Sequence, residues 1–202
     1  MSDTNTAPLR FPPVPPAQRS DAQRQVVELY RQGWRAAMET ADGSLGGPFD
    51  ATLRAPELAR RLAPVSDYFR QGTMLDDRLN EFAILIIARY WHCAFEWEIH
   101  CPRAIAAGLP RAVAQAVADG ARPDGMRDDE AAVYDLLSEL LARHAIGDPA
   151  FDAARRQLGE SRLVDLVGVA GYYMLVAMML KTANVEPAEL HGDFPRLAVR
   201  HA

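Results

Sequence analysis

The segment that begins at Asp76-Asp77 most constrains what this chain can fold into. The two aspartates can begin a helix. Its apolar residues then fall on nearly every side of a helical projection: Leu79, Phe82, Ile84, Leu85, Ile86 and Ile87. A helix that is apolar nearly all round must be surrounded by other elements. The sequence therefore predicts a central, buried helix with the rest of the chain packed around it.

The remaining chain divides into further helical patterns. Helices are predicted from about Asp21 to Asp42 and over the ranges 54–71, 94–107, 111–118, 129–144, 149–158 and 162–183. The glycine-rich stretch 43–50 predicts a loop. Strand signals are nearly absent, and no dinucleotide or phosphate loop is found. The predicted fold class is all-α, with a helix hairpin at its centre.

Three regions are predicted along the chain. Residues 1–20 carry five prolines and predict an extended arm, whose apolar residues could pack on the domain or on a neighbouring subunit. Residues 21–190 predict one all-helical domain, which is an ordinary size for a single hydrophobic core. Residues 191–202 form a tail without a strong pattern.

Composition narrows the class of protein. Hydrophobic residues make up 49% and charged residues 24%, which is typical of a globular protein in water. A net charge of −5 without a basic cluster argues against a nucleic-acid partner. The N-terminus lacks a signal-peptide pattern, and the apolar range 164–180 suits a buried helix better than a membrane span. We expect a cytoplasmic protein without a membrane partner.

Reactive side chains concentrate just after the central helix. Cys93, Glu96 and His100 are spaced three and four apart, which places them on one side of a helix. Glu81 lies twelve residues before Cys93, on the preceding helix. If the two helices pack as a hairpin, Glu81 can be brought against the other three. The sequence therefore predicts that these four side chains share one site.

This pattern resembles a known family. The spacing Glu81-x11-Cys93-x2-Glu96-x3-His100, followed by Ala-Ala-Gly-Leu at 106–109, is similar to the carboxymuconolactone decarboxylase and alkylhydroperoxidase D (AhpD-like) superfamily. A second similarity is Val-Gly-x-x-x-Tyr-Tyr at 167–173, in the last long helix. The resemblance implies an all-helical fold and a homo-oligomer, either a trimer or a hexamer assembled from trimers.

Two branches of the superfamily imply different chemistry. The peroxidase branch uses a Cys-x-x-Cys pair, activated by a Glu and a His that relay protons. Here Glu96 stands where the second cysteine would be. Cys101 is not a substitute, because eight positions along a helix give about 12 Å of rise. A disulfide needs a much shorter Cα separation. The pattern favours the decarboxylase-like branch that lacks the pair.

The decarboxylase-like branch implies a cofactor-independent enzyme of aromatic-compound catabolism. Its small-molecule substrate would be 4-carboxymuconolactone or a related acid. His100 would be the general acid or base, because its usual pKa lies nearest neutrality. Glu96 or Glu81 would orient it or relay the proton. Substrate-binding candidates are Arg89 and Arg78 for a carboxylate, and Tyr172 through its hydroxyl.

Other interpretations remain open at this point. Cys93 could be an inert buried side chain, or it could act in a thiol antioxidant enzyme of the alkylhydroperoxidase type, alone or with Cys101. A non-enzymatic helical oligomer that binds a small ligand would also fit. A metal site is not expected, because Glu96 and His100 form only a two-ligand fragment and no second histidine accompanies them.

Overall fold

The computed structural model describes residues 8–187 and 192–197. Within these ranges the chain forms α-helices and two short 3-10 helices and contains no β-strand. The α-helices are α1 (Asp21–Arg31), α2 (Phe49–Thr52), α3 (Pro56–Gln71), α4 (Asp77–Tyr90), α5 (Ala94–Ala106), α6 (Arg111–Asp119), α7 (Asp128–Arg143) and α8 (Asp148–Ala183). The all-α prediction is therefore confirmed.

Helix α4 is the centre of the molecule, as its apolar sequence predicts. Asp76 caps it, since its Oδ1 accepts a hydrogen bond from the backbone N–H of Leu79 at 2.9 Å. The run 82–88 is buried throughout. Helices α5, α6, α7 and α8 all contact α4. Because α4 is enclosed, any polar group on it must face a partner or a cavity.

A tight turn joins α4 to α5. His92 adopts a left-handed backbone conformation with φ of 47°. The N–H of Cys93 returns to the carbonyl of Ala88 at 2.8 Å, which closes the end of α4. Cys93 is extended (φ −89°, ψ 90°) and stands immediately before the first residue of α5. The predicted hairpin is present, with Cys93 at its turn.

Helix α8 is broken at Gly159. There φ is 74° and ψ is 167°, a combination that only glycine adopts without strain. Two helices with a short connection were predicted over 149–158 and 162–183; the structure reduces the connection to this one residue. By length and composition α8 could cross a membrane, but half of its most apolar window is buried inside the protein. The helix packs on α4, α7 and α3.

The N-terminal third departs most from the predicted boundaries. Helix α1 ends at Arg31, and Trp34–Met38 forms a 3-10 helix, so the helix predicted as far as Asp42 is too long. The break falls at Gly33, whose backbone is extended. The short helix α2 overlaps the end of the predicted loop 43–50.

The described parts of the arm and tail are bonded to the helical body. The N–H of Arg10 donates to the carbonyl of Ala183 at 3.0 Å, near the end of α8. Trp97 on α5 donates through Nε1 to the carbonyl of Pro195 at 2.6 Å. The predicted division at residues 20 and 190 stays a prediction, and residues 1–7, 188–191 and 198–202 lie outside the described ranges.

Candidate active site

A cavity of about 300 Å³ lies between α3, α5, α8 and the 3-10 helix Trp34–Met38. This volume suits a small organic ligand. Its polar and ionisable lining residues are Ser66, Arg70, Glu96, His100, Arg103, Tyr172 and Tyr173. The rest of the lining is mainly apolar or aromatic. Two of the predicted reactive residues, Glu96 and His100, therefore line one cavity.

Glu81 and His100 form the central contact of this site. Oε2 of Glu81 lies 2.6 Å from Nδ1 of His100, and the two side chains are 16% and 8% exposed. With the imidazole proton on Nδ1, the carboxylate oxygen accepts a hydrogen bond from Nδ1–H, and Nε2 of the imidazole is left for a ligand. The hairpin therefore brings Glu81 against the face of α5, as the spacing predicts.

Glu96 lies one helical turn before His100 and lines the same cavity. It is 2% exposed, and apart from the Cys93 thiol its carboxyl oxygens have no hydrogen-bond partner among the described residues. Burial raises the pKa of Glu96 to about 8, and only the Cys93 thiol and the charge of Lys181 act in the opposite direction. At neutral pH the carboxyl group is therefore mostly protonated and can donate a proton.

The two cysteines are buried and unpaired. Cys93 is 1% exposed and packs beside Val176, Ala177 and Leu180. Burial, reinforced by the nearby Glu96, raises the pKa of the Cys93 thiol to about 12. Burial likewise raises the pKa of Cys101 to about 12. Neither sulfur is a thiolate at neutral pH, and the thiolate is the reactive form.

Two tyrosines of α8 complete the wall near His100. The Tyr173 ring stands edge-on to the His100 ring, with centroids 5.1 Å apart and an interplanar angle of 86°. Tyr172 lies against Tyr173 and also lines the cavity, where the sequence predicts it. Burial raises the pKa of both hydroxyls, so both stay protonated over the physiological range.

The expectation that Arg78 and Arg89 bind substrate at this site does not hold. Arg78, in the first turn of α4, reaches α7 and bonds to Asp129 and Glu130, each at 2.6 Å. Arg89, in the last turn, lies in a separate groove, where its Nη1 is 2.9 Å from Nε2 of His92. Both side chains extend from the ends of α4, away from the lining of the cavity.

Arg70 and Arg103 stand at the cavity instead, and sequence reasoning missed both. Each is partly buried, and neither forms an ion pair with any residue in the described ranges. The Arg70 guanidinium lies 4.2 Å from the centroid of Trp34. Burial lowers the pKa of Arg70, and the charge of Arg103 lowers it further. The position of Arg103, three residues after His100 on the same helix, is the sequence feature that could have predicted it.

Among residues 8–187 and 192–197, no three His, Cys, Asp or Glu side chains come together as a group that could hold a metal ion. The chemistry that this site can perform with its own side chains is proton transfer. It offers a histidine oriented by a carboxylate, a neutral carboxylic acid and two guanidinium groups.

Comparison with known proteins identifies the fold. No family model and no curated protein matches the sequence. An uncharacterized peroxidase-related protein from Silicibacter sp. TM1040 superposes with a TM-score of 0.67 and 14% identity, over 95% of this chain and 98% of that one. A protein of unknown function from Agrobacterium tumefaciens, suggested to be the antioxidant defence protein AhpD, gives a TM-score of 0.58 and 16% identity, over 71% of this chain and 100% of that one.

At these identities the similarity is one of fold. The chain has the AhpD-like all-helical fold that the resemblance of its motifs implies. The names of both relatives refer to peroxidase or antioxidant proteins, and neither refers to a decarboxylase.

Proposed function

We propose that this protein is a cofactor-independent acid/base enzyme that decarboxylates a small carboxylated lactone, 4-carboxymuconolactone or a related acid. The observation that carries the proposal is the 2.6 Å bond between Glu81 and His100 at the wall of a cavity shared with the buried Glu96. Pairs of ionisable groups whose surroundings separate their protonation states are typical of acid/base catalysis.

The proposed reaction needs only one proton. Cleavage of the bond between the ring carbon and the carboxylate releases carbon dioxide, and its electron pair moves into the conjugated lactone carbonyl as a dienolate. Hydrogen-bond donors of the site stabilise that oxyanion. The neutral Glu96, or His100 in its imidazolium form through Nε2, then donates a proton to carbon, and solvent restores that proton through the same group. Glu81 acts by holding His100 in one orientation.

A thiol peroxidase is the alternative that the names of the structural relatives suggest. It would need a reactive thiolate, and ordinarily a second sulfur to resolve the oxidised cysteine. Cys93 is buried and protonated at neutral pH, and Glu96 occupies the position of the second cysteine. No contact of Cys93 favours this alternative over proton transfer.

A non-enzymatic ligand-binding protein would have the same cavity without turnover.

The assembly and setting belong to the same proposal. Exposed apolar side chains on α8, Val164, Val167 and Met178, would suit burial between copies of the chain in a trimer or hexamer. We propose a cytoplasmic homo-oligomer that acts on a small molecule in aromatic-compound catabolism and uses neither a membrane nor a nucleic acid.

The test is a direct turnover assay. Purified protein is incubated with 4-carboxymuconolactone while carbon dioxide release and lactone absorbance are followed, and peroxide consumption is measured in parallel. We expect decarboxylation that is lost in His100→Gln and retained in Cys93→Ser. Peroxide consumption abolished by Cys93→Ser, without decarboxylation, would establish the thiol alternative. Binding without either reaction would establish the non-enzymatic one.

A further inference from the structure

We propose that Arg70 and Arg103 form a subsite for a carboxylate, and that the ligand carries this group on a compact apolar body. The inference rests on the proposed function only for what happens to the ligand after it binds. The subsite itself is defined by charge, burial and shape.

The first argument is that the cavity has unbalanced positive charge. Exposed arginines of α3 are paired, for example Arg60 with Glu57 at 2.9 Å. Arg70 and Arg103 are partly buried and form no ion pair among the described residues, and Nε of Arg70 is also buried without a hydrogen-bond partner. Of the two acids nearby, Glu81 is bound to His100 and Glu96 is mostly protonated. An anion from solution would therefore neutralise charge that the protein leaves unpaired.

The second argument is that Arg70 is held in place before a ligand arrives. Its guanidinium lies 4.2 Å from the centroid of Trp34. The indole Nε1 of Trp34 donates to Oδ1 of Asp67 at 3.0 Å, and Arg35 donates to the same oxygen at 2.8 Å. A planar guanidinium fixed in this way presents its N–H groups in a fork that matches a carboxylate.

The third argument concerns the rest of the ligand. Apart from its polar groups, the cavity is lined by Met38, Phe49, Phe95, Ile99, Val176 and Leu180. Such a wall favours an apolar, preferably flat, body over a free inorganic anion. Arg103 follows His100 by one helical turn, so an acid bound by the arginines places its adjoining carbon skeleton near the imidazole.

Isothermal titration calorimetry with benzoate, benzamide and inorganic phosphate tests the subsite. Benzoate has the charge and the flat body, benzamide lacks the charge, and phosphate lacks the body. We expect wild-type protein to bind benzoate about tenfold or more tighter than either of the others. Arg70→Gln and Arg103→Gln should each weaken benzoate binding by about tenfold or more, and the matched control Arg60→Gln should change it by less than about twofold.

Three results would overturn the inference: equal affinity for benzoate and benzamide, equal affinity for benzoate and phosphate, or benzoate binding unchanged in both arginine variants. The comparison of the three probes on wild-type protein needs no variant. The variants Arg70→Lys and Arg103→Lys serve as controls that keep the positive charge. Circular dichroism shows whether each variant is folded. Arginine-dependent benzoate binding without decarboxylation would leave the subsite standing and remove the proposed function. Decarboxylation that is unchanged in both arginine variants would remove the subsite and leave the proposed function standing.

Discussion

Oε2 of Glu81 and Nδ1 of His100 lie 2.6 Å apart, although they are 19 positions apart in the chain and lie on two helices, α4 and α5. The contact fixes the orientation of the imidazole and directs its second nitrogen away from the carboxylate. It also gives the carboxylate of Glu81, on the buried helix α4, a hydrogen-bond partner. A single bond between two helices thus serves both packing and the proposed chemistry.

The first prediction concerns this pair. Glu81→Gln removes the carboxylate that orients His100, and His100→Gln removes the imidazole itself. Because a positioned acid/base group contributes about 10²–10⁴-fold to a rate, we expect kcat to fall within this range for His100→Gln and by less for Glu81→Gln. Steady-state kinetics measures both effects. Exposed Glu57 supplies the control variant Glu57→Gln, and a His100→Gln enzyme with normal kcat would contradict the assignment.

The second prediction concerns Glu96 and pH. Its pKa rises from 4.5 to about 8 on folding, so the folded protein binds one more proton than the unfolded chain between these values. The free energy of unfolding should therefore fall as pH rises through this window, by at most about 1.4 kcal/mol per pH unit from this group. Below the window the contribution is constant.

Urea unfolding at several values between pH 5 and pH 9, on wild type and Glu96→Gln, measures the effect. The amide does not titrate, so the variant should lose this part of the slope whatever its absolute stability. Identical slopes in the two proteins would show that Glu96 is already ionised when folded. The proposed acid role also requires activity to decline above about pH 8, because the donor form of Glu96 is then depleted.

The third prediction concerns the thiols. With pKa values near 12 and almost no exposure, Cys93 and Cys101 should resist iodoacetamide at pH 7.5 in the folded protein. Both should react after unfolding in guanidinium, where the usual pKa returns. Mass spectrometry counts the modified sulfurs. Rapid labelling of Cys93 in the folded protein would restore the thiol-based alternative.

The fourth prediction compares two glycines of α8. A Cβ at Gly168 would stand 2.8 Å from the ring of Phe69, whereas nothing lies within 4 Å of one at Gly171. Gly168→Ala should destabilise the protein by about 1–3 kcal/mol through overpacking. Gly171→Ala should stabilise it by up to about 1 kcal/mol through helix propensity. Thermal or urea unfolding distinguishes them, and equal effects of the two changes would contradict the packing of α8 on α3.

The fifth prediction separates a structural arginine from the binding pair. Arg78 is bonded to Oε1 of Glu130, which is fully buried, so Arg78→Met leaves that oxygen without its charged partner, while Oε2 keeps the backbone N–H of Arg127. We expect a loss of about 3–5 kcal/mol in the free energy of unfolding. Benzoate affinity should stay at the wild-type value under conditions where the variant is folded. Specific loss of benzoate binding would return Arg78 to the site.

Sequence reasoning succeeded where local periodicity decides the outcome. The apolar run of α4 required burial, and the spacing of Glu96 and His100 placed both at one cavity. The bond between His100 and Glu81 followed once α4 and α5 packed as a hairpin. Gly159 was recognised as a break, although α8 needs only that single residue for it.

It failed where the answer depends on how distant elements pack. Arg78 and Arg89 are close to Glu81 in sequence, yet α7 and the end of α6 draw their side chains to other surroundings. Arg70 is brought to the cavity by the packing of α3 near α8, which no local pattern specifies. Arg103 could have been found, since it shares a helix face with His100 and Glu96.

The turn at 91–93 sets the rotational position of α5 against α4. Each residue of an α-helix turns the chain by about 100°, so one residue inserted or deleted there would turn Glu96, His100 and Arg103 together away from the cavity. Every reactive side chain would still be present in such a sequence. A relative that has the same residues but a different spacing across this turn is therefore expected to lack the site, and a motif search should weigh the gap as heavily as the letters.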